Sequence, residues 1–126
     1  MTETGVDIGV NKDIYIPYQY TVSMMRLIVP TDFEILQILS NGRRNNAINI
    51  ATHLDKNRSY INTRLPVLTD YGLLNRVGPA GNSGLYEITE KGRIAARHRA
   101  EYEDDDVDFE ALIEEGLAEI EVSSGQ

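Results

Sequence analysis

Cysteine is absent from the 126-residue chain. Structural disulfides, thiolate metal sites and thiol redox sensing within it are thereby excluded. No apolar run approaches the ~20 residues that cross a bilayer. The first residues carry neither the basic stretch nor the long apolar core of a secretion signal, so a cytoplasmic location away from membranes is expected. Catalytic signatures are missing too. The glycines between Gly78 and Gly84 are not followed by Gly-Lys-Ser/Thr, and no nucleophile motif surrounds a serine. His53 and His98 stand alone, the first on a helix surface and the second at a helix interface, without the partners a metal ion needs. Neither an enzyme nor a cofactor or metal is expected, and no small-molecule ligand is indicated.

Lysine is scarce, with only Lys12, Lys56 and Lys91, while arginine supplies nine of the twelve basic groups. Abundant acid with little lysine resembles proteins of salt-loving archaea. The plainer reading is acidity gathered in one tail. The net charge of −8 is indeed unevenly spread. Residues 30–100 carry ten Lys/Arg against six acids, whereas residues 101–126 carry eleven acids and no Lys or Arg. A mildly basic body beside an acidic tail suits a nucleic-acid binder better than the overall pI of about 4.7 does. At ~1 M salt the Debye length is only ~3 Å, and binding would then rest on direct contacts rather than long-range steering.

One small domain with appendages accounts for the length. Residues 1–29 read as an N-terminal arm. Residues 1–13 are polar and expected to lack fixed structure, and Asp13–Val29 is rich in strand formers but interrupted by Pro17, so that it reads either as a short strand, an arm against a partner subunit, or a loose extension. Residues 30–102 hold the domain. Thr31 with Glu34 reads as a capping box opening a first helix that Asn41-Gly42 ends. Asn45 is expected to cap a second helix, Asn46–Leu54, with Ala47, Ile48, Ala51 and Leu54 inward. After the turn Asp55-Lys56, Asn57 caps a third helix, about Arg58–Tyr71, with Ile61, Leu65 and Leu68 as its buried stripe and Gly72 as its stop. Pro66 within it removes the hydrogen bond to the Asn62 carbonyl and bends the axis. Leu73–Val77 and Leu85–Ile88 read as a hairpin with a glycine-rich tip, and Thr89 as the cap of a fourth helix, about Glu90–Tyr102. Residues 103–126 form an acidic segment in which Asp108 caps a last, amphipathic helix. The fold class is mainly α with a small β-hairpin (α+β), a winged helix-turn-helix with an added C-terminal helix.

Such a module holds its third helix in the major groove of DNA. The exposed side of that helix carries Arg58, Ser59, Tyr60, Asn62, Thr63 and Arg64. Arg pairs bidentately with guanine, Asn with adenine, and Thr meets the thymine methyl, while Tyr and Ser reach phosphates. Polar residues opposite a core stripe are ordinarily just a solvated face. Here no acid occurs from Asn57 to Thr69 in a strongly acidic chain, which favours the DNA reading. Arg43 and Arg44, with Asn46 and the amides opening the second helix, can clamp a phosphate. Arg76 at the base of the wing, and Asn82 and Ser83 at its tip, can lie along the backbone or minor groove. Ile94, His98, Tyr102, Phe109, Leu112, Ile113, Leu117 and Ile120 form apolar stripes that exceed what a small core can cover, and are expected at a homodimer seam.

The segments Ile50-Ala51-Thr52-His53-Leu54, Arg58-Ser59-Tyr60-Ile61, Arg64-Leu65-Pro66-Val67-Leu68, Asp70-Tyr71-Gly72-Leu73-Leu74 and Tyr86–Arg93 resemble haloarchaeal winged helix-turn-helix transcription regulators, the phage phi-H repressor-like group of the MarR/ArsR-type superfamily. The resemblance covers about residues 30–100. It implies a homodimer on a palindromic operator of double-stranded DNA, with the third helix in the major groove; a repressor that occludes a promoter is the expected function. The alternative is a winged-helix module that binds protein instead of DNA, through the amphipathic last helix or the acidic tail.

Overall fold

The computed structural model describes residues 25–78 and 84–124. The arm before Met25 and the wing-tip residues Asn82 and Ser83 lie outside them. Among the described residues the order is α1 (Thr31–Leu39), α2 (Ala47–Leu54), α3 (Arg58–Asp70), β1 (Leu74–Val77), β2 (Leu85–Ile88), α4 (Glu90–Arg97), α5 (Arg99–Tyr102) and α6 (Phe109–Ser124). Three helices, an antiparallel hairpin and a following helix make the winged-helix arrangement expected from the sequence. No helix among the described residues is long and apolar enough to cross a membrane.

Local chemistry sets most helix starts. The Asn57 side chain accepts the Tyr60 N–H at 3.1 Å, and Thr89 accepts the Gly92 N–H at 2.9 Å. The Asp108 carboxylate accepts the Ala111 N–H at 3.1 Å. Each satisfies an amide that the helix itself leaves unpaired. Two expected caps are corrected. Thr31 lies buried inside the first turn of α1, because the chain already enters helical geometry at Pro30, and Glu34 turns to Lys56 at 3.5 Å instead of closing a capping box. Asn46, not Asn45, caps α2, accepting from the Asn49 N–H at 2.9 Å. Asn45 is committed elsewhere: its backbone exchanges two hydrogen bonds with Tyr86 of β2, at 2.9 and 2.8 Å, and ties the approach to α2 onto the wing.

The helix-turn-helix packs as the stripe requires. Ile61, Leu65 and Leu68 of α3 are fully buried with Ile50 of α2 and Phe33, Ile35, Leu36 and Leu39 of α1. α3 continues through Pro66 to Asp70. It stops at a Schellman motif: the Gly72 N–H donates to the Thr69 carbonyl at 2.9 Å and the Leu73 N–H to the Leu68 carbonyl at 3.0 Å, with Gly72 at φ +82°. That motif occupies Leu73, so β1 begins one residue later than expected. β1 and β2 pair in the register Leu74↔Ile88, Asn75↔Glu87, Arg76↔Tyr86 and Val77↔Leu85.

The C-terminal part departs from expectation. The helix expected over Glu90–Tyr102 breaks at His98, whose φ of −104° and ψ of 29° leave helical geometry. Beyond the break Tyr102 joins Phe33 and Phe109 in an aromatic trio with ring centroids 4.9–6.2 Å apart. The last helix is no free appendage. α6 packs on α4, Phe109 and Ile113 are buried, and a Cβ at Gly116 would sit 3.0 Å from Ile94 Cγ2, so this glycine permits the close approach. Ile94, Phe109 and Ile113, expected at a dimer seam, thus belong to the protomer's own core. Tyr102, Leu117 and Ile120 are partly buried against it, and Leu112 and His98 are half-exposed.

Candidate nucleic-acid interface

The exposed side of α3 holds Arg58, Ser59, Asn62 and Thr63, with Tyr60 also 37% exposed. The acid-free surface therefore faces outward, as its opposition to the Ile61–Leu65–Leu68 stripe dictates. The Thr63 hydroxyl donates back to the Tyr60 carbonyl at 2.6 Å, which orders the side chain. Beside α3 runs a groove lined by Asn46, Ala47 and Ile48 of the α2 start, Arg58 and Asn62 of α3, and Arg76, Gly84 and Tyr86 of the hairpin. Four residues chosen from the sequence, Asn46, Arg58, Asn62 and Arg76, thus line one concave surface. The Arg76 guanidinium carbon lies 5.6 Å from the centroid of the Tyr86 ring, and Tyr86 is itself fixed by Asn45. A cation resting on an aromatic face at that distance is favourably placed.

Arg64 is the main correction. Its guanidinium does not face outward; its Nε and Nη2 donate to the two carboxylate oxygens of Asp32 at 3.0 and 2.8 Å. The Arg64 side chain is 13% exposed and Asp32 is fully buried. Hydrogen bonding to Asp32 raises the Arg64 pKa above its ordinary value, against the opposing effect of burial. Helical spacing places Arg64 beside both the buried stripe and the polar face. What decides is a buried acid 32 residues away in sequence, and periodicity within α3 is blind to it.

The flanking cations are mixed. Arg43 and Arg44 are exposed ahead of α2, and Arg44 Nε lies 3.3 Å from Glu87. An exposed pair of this kind is worth at most ~1 kcal/mol, so a phosphate can displace the carboxylate. Asn46 gives its side-chain oxygen to the α2 cap, which orients its amide NH2 and leaves those two donors for a ligand. Arg93 is turned inward and donates to the Ser40 carbonyl at 2.8 Å.

Ile48 was expected inside and is 48% exposed on the groove. Ala47, Ile50, Ala51 and Leu54 complete the inner stripe of α2 without it. That spare apolar position was the available signal. The acids of α6 lie on the helix that packs against α4. No protein-family model and no curated protein matches the chain.

Proposed function

We propose that this chain is a sequence-specific DNA-binding transcription regulator that reads the major groove with α3, in the manner of the haloarchaeal winged-helix repressors its sequence resembles. One observation carries the reading: an outward, acid-free α3 face continuous with a groove that gathers Arg58, Asn62 and Arg76. Arg58 and Asn62 have the chemistry for guanine and adenine edges, and Arg76 and Arg44 for phosphates. A homodimer on a palindromic operator, with two α3 helices about one turn (~34 Å) apart, and repression by covering a promoter belong to the same proposal.

Electrophoretic shift with duplexes selected from a random library tests it. Arg58→Ala and Asn62→Ala are each expected to cost ~1–3 kcal/mol on the selected site and to relax the preference at one base position. Arg76→Ala is expected to weaken all duplexes alike and lower the slope of log affinity against log salt by ~1. Ile48 adds an apolar contact at the groove edge, suited to a thymine methyl. Replacing thymine by uracil in the selected duplex is expected to weaken the wild type more than Ile48→Ala. Equal losses would remove Ile48 from base reading.

The protein-binding alternative loses its best ligand, since Phe109 and Ile113 of the amphipathic helix are spent in the core. It regains the lead if the folded chain retards no duplex. Removing residues 103–126 is unsuited to deciding between the two, because it strips the core of those side chains. Glu→Gln changes at the exposed Glu114, Glu115, Glu119 and Glu121 lower the acidity without that damage.

A further inference from the structure

Four consecutive backbone amides ahead of α1 are each received by a side-chain oxygen from a different helix or helix end. Met25 N–H donates to Glu110 of α6 at 2.8 Å, and Arg26 N–H to the hydroxyl of Tyr71, the residue ending α3, at 3.1 Å. Leu27 N–H donates to the Tyr102 hydroxyl of α5 at 2.8 Å, and Ile28 N–H to Asp32 of α1 at 2.7 Å. Tyr102 returns a hydrogen bond to the Leu27 carbonyl at 3.1 Å, and the Leu27 side chain is buried. Strand amides ordinarily find carbonyls of a neighbouring strand. Here side-chain oxygens receive all four amides of the segment, while the Ile28 carbonyl accepts the Asp32 N–H at 2.8 Å.

Two of the four stitches lead to α3. Tyr71 ends the helix, and Asp32 Oδ2, which accepts from Ile28, also accepts from Arg64 at 2.8 Å. The remaining two lead to α5 and α6. We propose that Met25–Ile28 is a strap that fixes the pose of α3 against the rest of the domain, with Asp32 as its junction and Tyr71 and Tyr102 as positioning residues. This rests on the DNA-reading role proposed for α3. Base contacts demand a side-chain pose held within about 0.5 Å, whereas phosphate contacts tolerate more. A loosened strap therefore lowers discrimination between sequences and leaves sequence-independent binding in place. None of the strap's partners needs to touch DNA for this effect.

Asp32 variants risk unfolding, so the test uses Tyr71→Phe, Tyr102→Phe and their combination in the full chain. Each removes one hydroxyl and keeps the ring. Two quantities are read under conditions where circular dichroism shows every variant folded. One is the ratio of dissociation constants for a scrambled and a selected duplex. The other is hydrogen exchange at Arg64 Nε, followed by NMR without DNA. The double variant is expected to lower the ratio about tenfold, with the scrambled-duplex affinity within about twofold of wild type, and to speed Arg64 Nε exchange about tenfold. A ratio within about twofold of wild type overturns the strap's role in reading. If wild type does not distinguish the duplexes at all, the DNA reading of α3 falls. Exchange at Arg64 then decides the strap by itself: acceleration supports the tie to α3, and an unchanged rate refutes it.

Discussion

Asp32→Ala is expected to cost ~3–5 kcal/mol of folding stability, because it leaves the mostly buried Arg64 guanidinium without its counter-charge. The Ile28 amide loses its acceptor in the same step. Against the 5–15 kcal/mol that hold a domain of ordinary stability, that is a large share. Arg64→Ala alone strands the carboxylate and is expected to cost a similar amount. The double variant is expected to cost less than the two losses added, since no charge is then stranded, with a coupling of up to ~3 kcal/mol. Urea titrations of the four proteins give the cycle. Additive losses would mean that water, not the partner, solvates each group.

Gly92→Ala is expected to cost about 3 kcal/mol, although Ala is by itself the better helix former. A Cβ at Gly92 would run into the Leu73 carbonyl oxygen and come within 2.7 Å of Ile88 Cγ1. Neither is a flexible side-chain end that can swing aside. Leu73 is held by the Schellman motif that ends α3, and Ile88 by its pairing with Leu74. The α4 start must therefore retreat from the α3–β1 corner. A lowered urea midpoint with unchanged slope is the expected result, and a midpoint equal to wild type would mean that the corner gives way freely. Gly116→Ala is expected to do less, because the contacts it would crowd are terminal atoms of the Ile94 side chain.

Elements that announce themselves by local chemistry were legible in the sequence. The Asn57, Thr89 and Asp108 caps, the Gly72 stop, the α3 stripe and the β2 strand all follow from residues within a turn or two of each other. What depends on distant partners was not. Asn45 is drawn into a bridge with Tyr86, Arg64 is drawn inward by Asp32, and the helix breaks at His98, four residues before Tyr102 meets Phe33 and Phe109. The apolar residues of the last helix showed that something must cover them, but not that α4 and α1 of the same chain would do so. Of the proposed reading face, Arg58, Ser59, Tyr60, Asn62 and Thr63 needed only the helical repeat to be placed outside. Arg76 and Asn46 needed the hairpin to fold back beside α3 before they shared a groove with Arg58.

The division between Arg64 and its neighbours also gives the proposed site a physical logic. A helix that reads bases needs free donors on one side and firm anchorage on the other. In α3 the free donors are Arg58 and Asn62, one turn apart, and the anchor is Arg64, held bidentately by a fully buried carboxylate. The sequence of the wing tip holds no Arg or Lys, so the proposal assigns phosphate contacts to Arg76 at the wing base and to Arg43 and Arg44 ahead of α2.

Titration of the isotopically labelled full chain with a selected duplex, followed by amide and side-chain NMR, tests the outward reading face most directly. Perturbation concentrated on Arg58–Thr63, the Asn62 side-chain amide and the groove residues Asn46, Ile48 and Arg76 is the predicted pattern. Signals that stay put there, or that shift only along Phe109–Ser124, would contradict it.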